Sequence, residues 1–453
     1  MASMPTDSVT GRREFTSADT LTRRYIVSQF AALGLKPVSA NGGYVQRFPV
    51  IRGISLAPSS KVVVTSKGTP WVLRRKDDFV PREVSGNGAF SGGVAFIGYG
   101  INAPESGYDD FSKVDLKGKT VICLISPPRH VDMKLKKMAW KRPWMDKVAL
   151  IDSLGGRAVI FVNAASHKNC NVLRDIDESK RIRGRTLKLL ALPTANITHD
   201  ALASITGAAG VDIATVEREL ETATSSKAFV LAGVEISMDI ELTLDWADAS
   251  NVVGMLPGRE TARTIVIGAH YDGPSYDDNA SGVSEVLELA RLCSERGPFD
   301  CNLLFAAFGS EEPGLLGSEY FAEHIPPQAG AIKAMVNFDV IGRIRGDTLV
   351  VGNAQPLGEW DEIAMNLDRR GLVVESKPWM GGSDSAIFVN AGIPTFWFFE
   401  GFHGPSHVRD SLACMNWDGM ERALRYSFDF VRGISSDEAK LGKPVPEKPR
   451  SPR

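Results

Sequence analysis

TIVIGAHYDGPSYDDNASGVSEVLELARLCSE, residues 264–295, decides how the fold is read. It opens on a short β-branched run that predicts a buried strand and closes on helical spacing. Between them His270, Asp272, Asp277 and Asp278 crowd together. Acids packed so densely after a buried strand repel one another and are costly to desolvate, so positive charge is expected among them. Around this stretch the same rhythm continues. NVVGML, NLLFAAFGS, AMVNFDVI and TFWFF are predicted strands. GLLGSEYFAEHI, PLGEWDEIAMNLDRRG and MERALRYSFDFVRG are predicted helices. The alternation predicts an α/β fold with a mostly parallel mixed sheet flanked by helices.

Upstream the texture differs. Residues 17–33 predict an amphipathic helix capped by Ser17 and ended by Gly34. From about residue 50 to 125, KVVVTS, WVLRR, GGVAFIGYGI and KTVICLI read as short strands split by Gly, Pro and Ser. MDKVALIDSLGGRAVIFVNA predicts a helix feeding a strand, and DIATVERELETA another helix. The basic stretch 129–144 reads as a solvated loop, and the Pro-rich tail as disordered.

With 453 residues, the chain is too long for one core. A net charge of −2 offers no basic field for nucleic acid. No run of eighteen apolar residues predicts a membrane span. The polar N-terminal stretch MASMPTDSVTGRREFTS shows no export signal. The five cysteines form no CxxC, and Cys293 and Cys301, flanking a helix-to-strand loop, can pair.

In open α/β sheets, ligands collect at the carboxyl ends of the strands. Four predicted strands end there on His, Asp or Glu: HYD after TIVIGA, SEE after NLLFAAFG, Asp339 after AMVNF, and HGPSH after TFWFF. His270 is a metal-ligand type. Asp278 can bridge two ions through its two oxygens. Asp272 is placed to orient the His270 imidazole through its other nitrogen. Of the neighbours Glu311 and Glu312, one can ligate while the other moves a proton. Asp339, alone in an apolar strand, is expensive unless ligated. His407, with His403 as the alternative, completes the set. This inventory suits two zinc ions with N/O ligands and an open position, the pattern of a catalytic rather than a structural zinc.

On GAHYD, DDNASG, SEEPGLLGS, VNFDVIG and the late histidine, in that order, the chain resembles the family twenty-eight metallopeptidases. GYVQRFPV and GYGINAPESGYDDFSKVDLKGKTVICLI are similar to members carrying an inserted protease-associated domain. The resemblance implies the zinc exopeptidase fold and a secreted or cell-envelope setting. It implies catalytic-domain segments at 1–74 and 221–435, a β-rich protease-associated insert over 75–220, and a tail from 436 to 453. It assigns His270, Asp278 and Asp339 to one zinc, and Asp278, Glu312 and His407 to the other. Glu311 becomes the general base, with peptides as substrates, and the Asp278–Asn279 peptide bond is expected to be cis.

Two departures from the pattern stand out: a short loop between His270 and Asp278, and Asp410 three rather than four residues beyond His407. By strand alternation half of Phe396, Trp397, Phe398 and Phe399 belong to the core, and the other half, with Met380 and Ile341, either line an apolar pocket for the first side chain of a peptide or are core as well. Ser383 and Asp384 either contact substrate or cap the next helix. A glutaminyl cyclase, a carboxypeptidase using Arg343 and Arg345, and a receptor-like scaffold are the competing readings on this fold. For the carboxypeptidase, the two arginines are expected to pair instead with surface acids.

Overall fold

Residues 12–125, 144–174, 176, 184–185, 189–222, 225–353, 359–378, 381–400 and 410–436 are described by a computed structural model. The chain forms two units. One is drawn from Met1–Val50 and Ala247–Arg453, and the other, inserted into it, from Ile51–Trp246.

The first unit begins with α1 (Ser17–Ala32), capped by Thr16, whose side-chain oxygen accepts from Asp19 N at 3.1 Å. The cap is one residue earlier than the sequence suggests. Strand β1 (Val45–Leu56) leads out of this unit and β2 (Leu242–Leu256) leads back. There follow β3 (Glu260–His270), α2 (Ala280–Arg296), β4 (Cys301–Phe308), α3 (Leu316–Glu323), β5 (Ala331–Phe338) and β6 (Thr348–Asn353). Then come α4 (Glu359–Asn366), β7 (Val373–Pro378), α5 (Ser385–Asn390), β8 (Thr395–Phe399) and α6 (Trp417–Ser435).

The sheet order is β2-β4-β3-β5-β8-β6-β7, with Lys36–Pro37 at the β2 edge. Strands β4, β3, β5 and β8 run parallel. Strand β2 is antiparallel to β4, and β6 to β8, so the sheet is mixed around a parallel centre. β6 and β7 were not foreseen.

Strand alternation builds the two faces. Ile265, Ile267 and Ala269 of β3, with Leu303, Phe305 and Ala307 of β4, join the core formed with α1, α2 and α6. Val266, Leu304, Ala306 and Phe308 join the core formed with Phe321 and Phe388 on α3 and α5. Cys293 and Cys301 are free, buried thiols inside the first of these cores and do not pair.

The second unit carries an eight-stranded sheet. Its parallel centre is Thr120–Leu124, Ala158–Val162 and Thr194–Ile197, with Gly88–Phe96 parallel to the first of these. Helices Trp144–Ser153, His199–Ala208 and Ile213–Thr222 accompany it. The unit is wider than the expected 75–220 because Phe229–Ile240 pairs antiparallel with Lys61–Ser66 (Ile236 opposite Val64) and with Gly88–Phe96. These ladders take in both flanks. The predicted loop at 129–144 lies, but for Trp144, outside the described residues, as does nearly all of the tail.

Candidate metal centre

The carboxyl ends of the parallel strands of the first unit meet where the sequence places them. His270 closes β3 and is almost fully buried. Its Nε2 lies 3.2 Å from Asp339 Oδ1 and 3.5 Å from Asp278 Oδ1. One donor atom each from His270, Asp278 and Asp339 falls within 4.8 Å of the others. Nδ1 points the other way and donates to the backbone carbonyl of Asp272 at 2.9 Å.

That contact revises the role read for Asp272. Its carboxylate is 3.8 Å from Nδ1 and instead accepts the backbone N–H groups of Glu311 (3.1 Å) and Glu312 (3.2 Å). Asp272 therefore ties the turn bearing both glutamates to the end of β3, while its carbonyl fixes the imidazole.

The loop carrying Asp278 is set by close backbone approaches. Asn279 caps α2 by accepting from Gly282 N at 2.9 Å, and its amide donates to Phe338 O at 2.9 Å, next to Asp339. A Cβ on Gly282 would sit 2.4 Å from both Asn279 Oδ1 and Phe338 O, and one on Gly273 (φ +136) 2.7 Å from Asp278 O. Only glycine fits either place. The Asp278–Asn279 peptide is cis, as the resemblance implies.

Charge in the site is lopsided. Burial, opposed by His270 but reinforced by Asp384 and Asp339, raises the Glu311 carboxyl. Glu312 is exposed at the surface, yet partial loss of water, then Asp278, takes its carboxyl to about 7. Burial and then Glu14 push Asp272 well up. Burial alone would lower the His270 imidazole, but Glu311 and Asp339 carry it well above its ordinary value. Carboxyls in such a cluster resist ionising until a cation sits among them.

Asp384 adds to the excess. It makes no capping bond at the start of α5, and neither of its buried oxygens has a hydrogen-bond partner among the described residues. Burial raises it to about 7, and its nearest charges include His270, Asp272 and Asp339. Ser383 accepts from Asn337 at 2.8 Å. A divalent cation fits this donor set: an imidazole face, buried oxygens and an orphaned carboxyl.

Other expectations are corrected. Arg343 and Arg345 do not meet surface acids. Arg343 pairs with buried Asp277 (3.1 Å) and with Asp410 (3.0 Å), and Arg345 with buried Glu400 (2.8 Å). Phe396 and Phe398 are core, as is Ile341. Trp397 and Phe399 stack on each other at 4.2 Å in a small buried cluster with Val350. None of the five is left exposed to line a pocket. Met380, His403 and His407 lie outside the described residues. Arg12 and Glu14, beneath the loop, carry no signal in the local sequence.

A mixed sheet with N and O donors converging at its carboxyl edge has the makings of a metal centre. Residues 251–431 match the profile of peptidase family M28. An aminopeptidase of Pseudomonas aeruginosa (strain UCBPP-PA14) is 28% identical over 186 residues, covering 38% of this chain and 34% of the relative. A probable zinc metalloprotease of Leptosphaeria maculans is 33% identical over 216 residues, covering 37% and 50%. The matches thus span half or less of these relatives' length. The solved aminopeptidase from Aneurinibacillus sp. strain AM-1 superposes with a TM-score of 0.54 at 19% identity, covering 98% of this chain and 94% of its own, a likeness of fold. The relatives support zinc as the metal.

Proposed function

We propose that the protein is a zinc-dependent aminopeptidase that removes N-terminal residues from peptides. The observation that carries this reading is the convergence of His270, Asp278 and Asp339 within 4.8 Å, at strand ends beside Glu311. The names of the relatives point the same way. In this reading His270, Asp278 and Asp339 hold one zinc. A second zinc would be held by Asp278, Glu312 and His407, the last outside the described residues.

Zinc, when bound, supplies Lewis acidity toward a scissile carbonyl and a more acidic water. The protein's own groups do the rest. The Asp272 carbonyl keeps Nδ1 of His270 protonated, so that Nε2 faces the carboxylates. The Asp272 carboxylate fixes the Glu311 backbone. Glu311 accepts a proton from the attacking water and returns it to the leaving amine.

Arg343 and Arg345 are committed to Asp277, Asp410 and Glu400. That disfavours a carboxypeptidase, which needs a cation for the substrate's terminal carboxylate. The buried aromatics give no support to an apolar preference, so side-chain preference is a question for a substrate panel. The inserted unit, Ile51–Trp246, we assign to a protease-associated domain by the resemblance of its strands. A secreted or envelope setting belongs to the same reading.

The test pairs zinc stoichiometry with amino-acid release from leucyl-p-nitroanilide. Two zincs and release of leucine support the reading. One zinc with cyclisation of N-terminal glutamine replaces it with a cyclase, and no zinc with a scaffold. Glu311→Gln should keep its zinc and lose roughly 10²–10⁴-fold in turnover. Full turnover in that variant removes Glu311 from the mechanism.

A further inference from the structure

We propose that Arg12 is a positioning residue for the metal loop, its buried guanidinium gathering the carbonyls of residues 271–278 and so fixing where the Asp278 carboxylate stands. The inference rests on the metallopeptidase reading above.

Arg12 has no exposed surface. Its Nε donates to Tyr271 O at 2.9 Å and its Nη2 to Ser275 O at 2.7 Å, with Asp278 O at 3.5 Å from the same nitrogen. Its backbone N–H donates to Gly273 O at 2.9 Å. One residue, some 260 positions away in sequence, thus meets four carbonyls of one loop.

The loop needs such a restraint. Between the end of β3 at His270 and the start of α2 at Ala280 it belongs to no helix or sheet ladder. Taking a guanidinium out of water is costly, so it is a poor choice for stability alone. Its planar fork can span carbonyls that a lysine ammonium cannot hold together. Burial works against the charge, and Asp272, Asp278 and Asp410 offset part of that cost.

Two residues further on, the buried Glu14 carboxyl lies close to that of Asp272. Asp272 in turn holds the backbone of Glu311 and Glu312. Arg12 therefore braces the loop that carries Asp278, and that loop's Asp272 holds the turn that carries the proposed base.

A residue that only stabilises the fold would lower the melting temperature and leave the zinc affinity of the folded protein unchanged. A positioning residue changes the affinity itself. The experiment uses the full chain, stripped of metal, with zinc titrated against a chromophoric chelator and folding checked by circular dichroism.

Folded R12M should bind zinc about 10–100-fold more weakly, the range for groups that orient metal ligands, with R12K in between. If R12M fails to fold, R12K decides. Zinc affinity within about twofold of the unsubstituted protein in whichever folded variant decides overturns the inference, whatever happens to the melting temperature. An unsubstituted protein that takes up no zinc overturns the metallopeptidase reading, and this one with it. Zinc bound equally well with and without the substitution overturns this inference alone.

Discussion

His199 and Glu217 form a pair in the inserted unit that pH should tune. Nε2 of His199 is 3.1 Å from Glu217 Oε1, and Glu217 Oε2 accepts from Ala165 N at 3.1 Å. The hydrogen bond to Glu217 raises the imidazole's pKa, against burial. A raised histidine contributes stability in full below its unfolded value of about 6.5 and loses it as pH rises through the folded value. Glu217→Gln keeps an acceptor for the Ala165 amide but discharges the pair. It should destabilise the inserted unit by roughly 1.5–3 kcal/mol at pH 6 and clearly less at pH 9, measured by denaturant unfolding. An equal loss at both pH values would remove the ion pair from the account. At this scale the sequence reveals an acid inside an apolar run, as for Asp339, and acids crowded after a buried strand, as for Asp278 beside His270. Arg12 breaks no such run. Its burial depends on a loop about 260 residues away, which no local pattern records.

Helix α2 starts in contact with the end of β5, and Gly282 makes that possible. Gly282→Ala forces a Cβ into two oxygens at 2.4 Å. It should cost about 1–3 kcal/mol in unfolding free energy, and weaken zinc binding as well, because Asn279 and Phe338 flank two of the proposed ligands. Unchanged stability would mean that the helix start shifts freely. Elements with one strong period are readable in advance, as for α2, β3, β4, β5 and β8. Phe229–Ile240 escaped because its alternation is broken by a register shift between Leu231 and Glu235. β7 escaped because Val373 is half exposed and only Val374 is buried, leaving a weak pattern.

For the whole molecule, two units with separate cores imply separable responses to metal. A ligand that binds only the native state adds about 2.7 kcal/mol at a free concentration one hundred times its dissociation constant. Calorimetry should therefore show two transitions, of which chelation lowers the one belonging to the zinc-holding unit and leaves the other in place. A single transition that shifts as a whole would show the units melting together. The α/β class is legible from alternation, whereas an insert is implied only by the resemblance, the change of texture near residue 50 marking no more than a β-rich stretch. The limits of the insert are not legible, because Lys61–Ser66 reads as a strand wherever it is placed and only its pairing with Phe229–Ile240 assigns it.

That the outer unit is assembled from two stretches has a consequence on the ribosome. Domains tend to fold as units while synthesis proceeds at about 5–20 residues per second. The segment bearing Arg12 emerges early but has nothing to embrace until Tyr271–Asp278 follows. With about 260 residues made in between, the inserted unit among them, it waits roughly 13–52 seconds as an unattached arm. The inserted unit has by then been translated in full, so completion of the metal loop follows its synthesis and cannot seed it.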